Sequence, residues 1–270
     1  MAFFHKHPLI CGLILLCIVL LVWSIWSTHT PKLTTHTISM EKLPASFDGL
    51  QILQVSDLHN TQFGKDNQKL LKLVAKTHPD IILLTGDLID SRRTDPEAAI
   101  AFCKVAVTLA PTYYSPGNHE YRMPEEYAAL KSALEALSVT VLEDESVPLV
   151  RGNDHILITG LMDPAFETTW PVSATDDFQV VLSHRPELLE QYAQLGLDLV
   201  FSGHAHGGQA RLPWIGGLFA PHQGIFPKYT SGIHKLDQTT MVVSRGLGNS
   251  PLVPRFNNPP ELILVTLECM

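Results

Sequence analysis

Seven side chains able to ligate a metal occupy five short blocks of this sequence: Asp57 with His59, Asp87, Asn118, His184, and His204 with His206. An eighth polar side chain, His119, stands beside Asn118. Imidazole, carboxylate and amide groups suit Mn, Fe or Zn, and such sites leave positions open for water and substrate. Two ions roughly 3.5–4 Å apart need a shared ligand, and a carboxylate fits because it has two oxygens and a full negative charge. Asp87 is the candidate bridge. The chemistry implied is hydrolysis by metal-activated water.

The elements that must position these groups are legible around them. The apolar run Gln51 to Ser56 predicts a strand ending just before Asp57 and His59, whose two-residue spacing puts both side chains on one side of an extended segment. Asp80 to Thr85 predicts a buried strand that ends at Gly86 and Asp87, where glycine lets the backbone turn beneath a ligand. A short run from Thr112 to Ser115 precedes Pro116, Gly117, Asn118, His119 and Glu120, with Asn118 offering a neutral oxygen. Phe178 to Ser183 delivers His184, and Leu197 to Ser202 delivers Gly203, His204, Ala205 and His206. Strand-end loops gather residues from distant parts of a chain into one site.

Each residue taken alone has an ordinary explanation. The chain has 13 histidines, most of which need no function, and His5, His7, His29, His78, His155 and His234 are assigned none. An aspartate at a strand end commonly forms a turn or caps a helix. The ordered set, each block following an apolar strand, is what argues for metal.

The blocks DLH at Asp57, GDLID at Gly86, GNHE at Gly117, SH at Ser183 and GHAH at Gly203 resemble the calcineurin-like metallophosphoesterase family. The resemblance spans residues 50 to 266. Two later stretches, GGQARLPWIGGLFAPHQGIFPKY from Gly207 and SRGLGNS from Ser244, resemble that family's membrane-associated or exported bacterial branch. It implies one metal held by Asp57, His59, the bridging Asp87 and His206, and a second by Asp87, Asn118, His184 and His204. His119 matches the family's non-ligand histidine, which contacts the phosphate or protonates the leaving oxygen. Asp90 reads as a loop-capping residue, and Glu120 as a partner that orients a histidine. The implied fold is α/β, a four-layer αββα sandwich with the site at one edge of the sheets.

Composition frames the site. Net charge is −8 and the pI near 5.9, which argues against nucleic-acid binding through a basic surface. Of four cysteines, Cys11 and Cys17 lie in an apolar N-terminal run and Cys103 and Cys269 are far apart in sequence, so no disulfide framework is evident. Pro8 to Trp26 is a 19-residue uncharged run suited to one membrane-spanning helix, with Trp23 and Trp26 at its interfacial end. It exceeds a usual signal-peptide core and no A-x-A site follows, so an uncleaved anchor is expected. Lys6 precedes the run while Lys32 and Lys42 follow it, leaving charge almost silent on orientation; similar proteins lean towards an extracytoplasmic catalytic domain.

The expected organisation is an anchor over residues 1–27, a tether and domain entry over 28–46 and the metallophosphoesterase domain over 47–270. Helices are expected over Lys65 to Thr77, from a Thr94 and Glu97 capping box to about Ala110, and over Pro124 to Leu137. Strands are expected over Ile156 to Gly160, Thr240 to Ser244 and Leu262 to Leu267. Leu212 to Phe226, with Trp214, Phe219 and Phe226, reads either as a self-packed connection or as an apolar loop beside the metal pocket; if exposed, it implies lipid contact. Arg245 and Arg255 could meet phosphate oxygens, although a structural salt bridge is the commoner fate of arginine.

The leading expectation is a membrane-anchored, dinuclear-metal phosphodiesterase acting on a phosphate ester, with a lipid-linked one in view. A UDP-diacylglucosamine-type diphosphatase is the narrower enzyme alternative and would need an inward-facing domain. A metal-binding sensor or scaffold without hydrolysis is the third.

Overall fold

The computed structural model describes residues 8–93, 95–164, 170, 172–249 and 255–270. Helix α1 (Pro8–Thr28) leads into β1 (Lys32–Met40) and β2 (Gln51–Val55). Helix α2 (Gln68–Ala75), β3 (Ile81–Thr85), α3 (Glu97–Leu109), β4 (Thr112–Ser115), the single turn α4 (Asn118–Tyr121), α5 (Pro124–Ala136) and β5 (Thr140–Val141) follow. The second half holds β6 (Glu145–Arg151), β7 (Asp154–Leu161), β8 (Gln179–Ser183), α6 (Leu189–Gln194) and β9 (Leu199–Ser202). Short hairpins β10 (Arg211–Leu212), β11 (Gly216–Gly217), β12 (Phe219–Ala220) and β13 (Gly224–Ile225) precede β14 (Gly232–Leu236), β15 (Thr239–Val243) and β16 (Glu261–Cys269).

Two six-stranded sheets result, ordered β1-β16-β2-β3-β4-β5 and β14-β15-β9-β8-β7-β6. Strands β2 to β5 run parallel to one another, as do β7, β8, β9 and β15. Parallel strands carry near-continuous apolar runs because both faces are covered. Thus Ile52 and Leu83 of the first sheet pack against Val180, Leu182 and Phe201 of the second in one core. Leu53 and Leu84, on the opposite face of the first sheet, meet Val74, Phe102 and Leu134 from α2, α3 and α5. The outer face of the second sheet is covered by α6 through Leu189 and Tyr192. The four layers are those expected, helices, sheet, sheet and helix.

The structure adds detail that patterning does not carry. Lys32–Met40, read as part of the tether and domain entry, is an edge strand paired parallel with β16 along all nine residues. Ile38 and Met40 alternate into the core between polar neighbours, so this entry segment is built into the first sheet. The first turns of the expected Lys65 helix are a short 3-10 segment broken by Asp66 at φ 50°, and the α-helix starts at Gln68. Thr94 of the expected capping box lies outside the described residues, and the N-cap of α3 is Pro96 without a side-chain cap.

Helix α1 is 21 residues long, and its aliphatic side chains from Leu9 to Val22 are mostly exposed. It is long and apolar enough to cross a membrane. Where it meets the domain, Ser24 and Ser27 are buried, and the Ser24 hydroxyl donates to the Arg255 carbonyl at 2.5 Å.

Candidate metal centre

All eight residues singled out in the sequence are brought to the same sheet edge, beyond the C-terminal ends of β2, β3, β4, β8 and β9, and none is more than 5% exposed. Asp57, His59, Asp87, His204 and His206 have φ between 44° and 63°, a left-handed conformation that costs free energy in residues with a Cβ. Such strain persists where surrounding structure fixes it, and here the loop after β2 is tied to the loop after β3. Asp57 N–H donates to the Gly86 carbonyl at 3.1 Å, and His59 N–H to the Asp87 carbonyl at 3.0 Å.

Two clusters contain only the expected ligands. Asp57, His59 and His206 form one, and Asp87, His184 and His204 the other, each with ligand atoms within 4.8 Å of one another. His59 also groups with Asp90 and His119, and His204 with Glu187 and His222. Asp57 Oδ1 lies 3.8 Å from His59 Nε2 and 3.7 Å from His206 Nε2. In the second cluster His184 Nε2 is 3.0 Å from Asp87 Oδ2 and 3.2 Å from His204 Nδ1. Asp87 Oδ2 also lies 3.6 Å from His59 Nε2, so one carboxylate oxygen faces both clusters. Asn118 lines the adjoining cavity with Asp87, His119, His204 and His206.

Hydrogen bonds around the clusters orient these groups. His184 Nδ1 donates to the Thr85 carbonyl at 2.8 Å, leaving Nε2 free to act as a ligand. Asp57 is held by the Ser56 hydroxyl at 2.7 Å and the His204 N–H at 3.0 Å. Glu120 does not meet a histidine, which corrects the expectation: its carboxylate accepts the N–H groups of Asp87 and Gly117, both at 2.9 Å, and of Ile89 at 3.2 Å. Its position at the third residue of α4 lets it reach back across the GNHE turn to the GD loop. Asp90 caps its own loop by accepting the Arg92 N–H at 2.8 Å.

The glycines of the motifs are steric requirements. Gly86 has φ +85°, and a Cβ there would fall 2.6 Å from His184 Nδ1. A Cβ on Gly117 would fall 2.4 Å from Asp87 Oδ1.

Electrostatically the site asks for cations. Burial pushes the Asp87 carboxyl up, but the charge and hydrogen bond of His184 outweigh it and hold Asp87 well below the usual carboxylate range. Burial likewise lowers His184, yet the Asp87 charge overrides this and raises it to about 10. His206 is driven down to about 3, mainly by burial. Asn118 Oδ1, His206 Nδ1 and both ring nitrogens of His59 are buried without a hydrogen-bond partner. Two buried carboxylates surrounded by partnerless lone pairs fit divalent ions.

The cavity, about 270 Å³, is also lined by Arg92, Arg122, Gln209, Phe219 and His222. Phe219 lies in the loop expected beside the pocket, whereas Arg92, Arg122, Gln209 and His222 carried no sequence signal of their own. His222 stacks on His204 with ring centroids 5.1 Å apart, and its Nδ1 lies 2.9 Å from His204 Nε2. A lone histidine between Pro221 and Gln223 offered no pattern to read. Arg245 and Arg255 are structural: Arg245 pairs with Glu261 at 2.5 Å, and buried Arg255 donates to the carbonyls of Arg245 and Gly248.

Comparisons with known proteins agree with this geometry. A family model described as calcineurin-like phosphoesterase matches residues 50–208. An uncharacterized metallophosphoesterase of Bacillus subtilis, YkuE, is 31% identical over 251 residues, covering 89% of this chain and 86% of that protein. The phosphodiesterase YaeI of Escherichia coli is 29% identical, covering 80% of this chain and 82% of that protein. The UDP-2,3-diacylglucosamine pyrophosphatase LpxG of Chlamydia trachomatis is 26% identical, covering 91% and 92%. With more than half of its length matched and the motif residues gathered at one edge of a double sheet, the chain belongs to the calcineurin-like phosphoesterase family and is a phosphoester hydrolase.

Proposed function

We propose that this protein is a membrane-anchored, dinuclear-metal phosphodiesterase whose catalytic domain faces the extracytoplasmic side. The observation that carries the dinuclear reading is Asp87 Oδ2, 3.0 Å from His184 Nε2 and 3.6 Å from His59 Nε2, at the junction of two ligand clusters. One ion would be held by Asp57, His59, Asp87 and His206, the other by Asp87, Asn118, His184 and His204. When bound, the pair would lower the pKa of a water molecule and neutralise phosphate oxygens.

The chain's own residues do the rest. Asp57 and Asp87 supply the negative charge that selects divalent ions, and Thr85 holds the His184 ring in the ligating tautomer. His119 accepts the Ser91 N–H at Nδ1, at 3.0 Å, which keeps its ring proton on Nε2. Burial also lowers its pKa, so at neutral pH the ring is a neutral hydrogen-bond donor. This favours contact with a phosphate or leaving oxygen over full proton transfer from an imidazolium. Arg92 and Arg122 at the cavity rim would meet charge further along the substrate.

The similarity to YaeI supports a diester, and the similarity to LpxG keeps a lipid-linked diphosphate as the second reading. The test is hydrolysis of bis-p-nitrophenyl phosphate, p-nitrophenyl phosphate and a nucleotide-diphosphate lipid by purified full-length protein during titration with Mn, Fe or Zn. Metal-dependent turnover favouring the diester is expected. Preference for the diphosphate would replace this reading, and inactivity on all three would point to a sensor or scaffold. A reporter fused to the C-terminus tests the orientation.

A further inference from the structure

The stretch from Leu212 to Phe226 contains no charged residue and folds as the β10–β11 and β12–β13 hairpins. It is not self-packed. Trp214 is fully exposed, Ile225 is 73% exposed and Phe226 66%, with Ile215 and Phe219 also above one half. Exposed Lys228 follows this run, while the Arg211 guanidinium before it is turned inward onto the Gly207 carbonyl and the Thr230 hydroxyl. An apolar surface with an aromatic tip and an exposed lysine beside it is the composition of an interfacial membrane contact.

Its place in the fold says which membrane. Trp23 of α1 packs edge-on against Phe256, with ring centroids 5.7 Å apart. Phe256 in turn bridges to Ala210, and Arg211 N–H donates to its carbonyl at 2.9 Å, at the root of the first hairpin. The docked end of α1 is therefore joined through Phe256 to the root of the first hairpin. On another side of the helix exit, Lys69 and Lys72 of α2 and Lys76 just after it line a groove with His29 and Thr30, cations of the kind that attract lipid phosphates. The hairpins also reach the metal centre, since Phe219, Pro221 and His222 line its cavity.

We propose that residues 212–226 form an interfacial seat in the bilayer spanned by α1, setting the mouth of the metal cavity at the lipid surface, where an amphiphilic phosphate ester enters. The substrate clause rests on the phosphodiesterase reading; the seat itself does not. A chain held at only one helix would swing its site away from the surface. Two contacts, α1 and the hairpins, fix its height.

The test uses full-length protein in vesicles of phosphatidylcholine and phosphatidylglycerol carrying doxyl labels at shallow or deep acyl positions. The difference between wild type and Trp214→Phe isolates the Trp214 emission. It should be blue-shifted, quenched by the shallow label and shielded from aqueous acrylamide. A solvent-like Trp214 open to acrylamide overturns the seat, and so does a Trp214 shielded only in crosslinkable dimers, which assigns the patch to a second copy.

A combined Trp214→Ser, Ile215→Ser, Ile225→Ser and Phe226→Ser variant then separates seat from chemistry. Its turnover of soluble bis-p-nitrophenyl phosphate should stay within about twofold of wild type, while turnover of a vesicle-borne phosphodiester lipid falls at least about tenfold. An unchanged ratio between the two substrates overturns the role in lipid delivery. If wild type hydrolyses no diester while Trp214 is quenched by lipid, the phosphodiesterase reading fails and the seat stands.

Discussion

The backbone N–H of His119 donates to Asp87 Oδ1 at 2.8 Å. This bond takes one carboxylate oxygen out of the junction and leaves Oδ2 facing His59 and His184. A carboxylate was expected to bridge because it has two oxygens. In this site a single oxygen faces both clusters, and the second ties the bridge to the turn that carries Asn118 and His119.

Removing the junction should therefore empty the site. Asp87→Ala is expected to lose both metals and activity together, with elemental analysis and diester hydrolysis as paired measurements. Retained turnover in this variant would rule out the bridging assignment.

The His119 ring packs edge-on against His59, with centroids 4.6 Å apart, and its Nδ1 accepts the Ser91 N–H, so a role in chemistry and not in holding metal is a claim its loss can test. His119→Ala is expected to lower turnover by roughly 100-fold, the usual cost of losing a hydrogen-bond donor to developing charge, while metal content stays near wild type. A parallel loss of metal would make His119 a structural member of the site instead.

The glycine of the GNHE turn should be as sensitive as a ligand. Gly117→Ala would press its methyl group into Asp87 Oδ1, at 2.4 Å in the unrelaxed structure. Metal affinity should fall by about 10- to 100-fold, as for other disturbed ligand supports, while circular dichroism retains the native fold. Isothermal titration with Mn²⁺ reads the affinity directly.

Glu261, at the start of β16, gives a pH signature away from the metals. Burial pushes its carboxyl up, but Arg245 at 2.5 Å and the Thr34 hydroxyl prevail and hold it below the ordinary value of 4.5. A depressed folded-state pKa contributes stability that is present above 4.5 and lost as pH falls through the folded value. Glu261→Gln should thus lower Tm at pH 7 and converge with wild type in acid. A gap that stays constant from pH 7 to pH 3 would remove this ion pair from the acid sensitivity.

The strands that carry the site were readable because buried parallel strands need unbroken apolar runs, and each of five runs ends beside a polar block. The helix α5 was readable from Pro124 at its first turn. Strand β1 was not, because at a sheet edge only Ile38 and Met40 are fully buried and its polar positions look like linker.

The identity of the ligand-type side chains, their order and the uncharged N-terminal run are properties of sequence, since residue type and spacing are local. What only the tertiary structure decided is which atoms meet. It assigned Glu120 to three backbone N–H groups, brought His222 onto His204 across a long loop, and left the Trp214 hairpins uncovered beside the docked end of α1. Such contacts join segments distant along the chain, and their geometry follows from packing two sheets face to face, which no local pattern encodes.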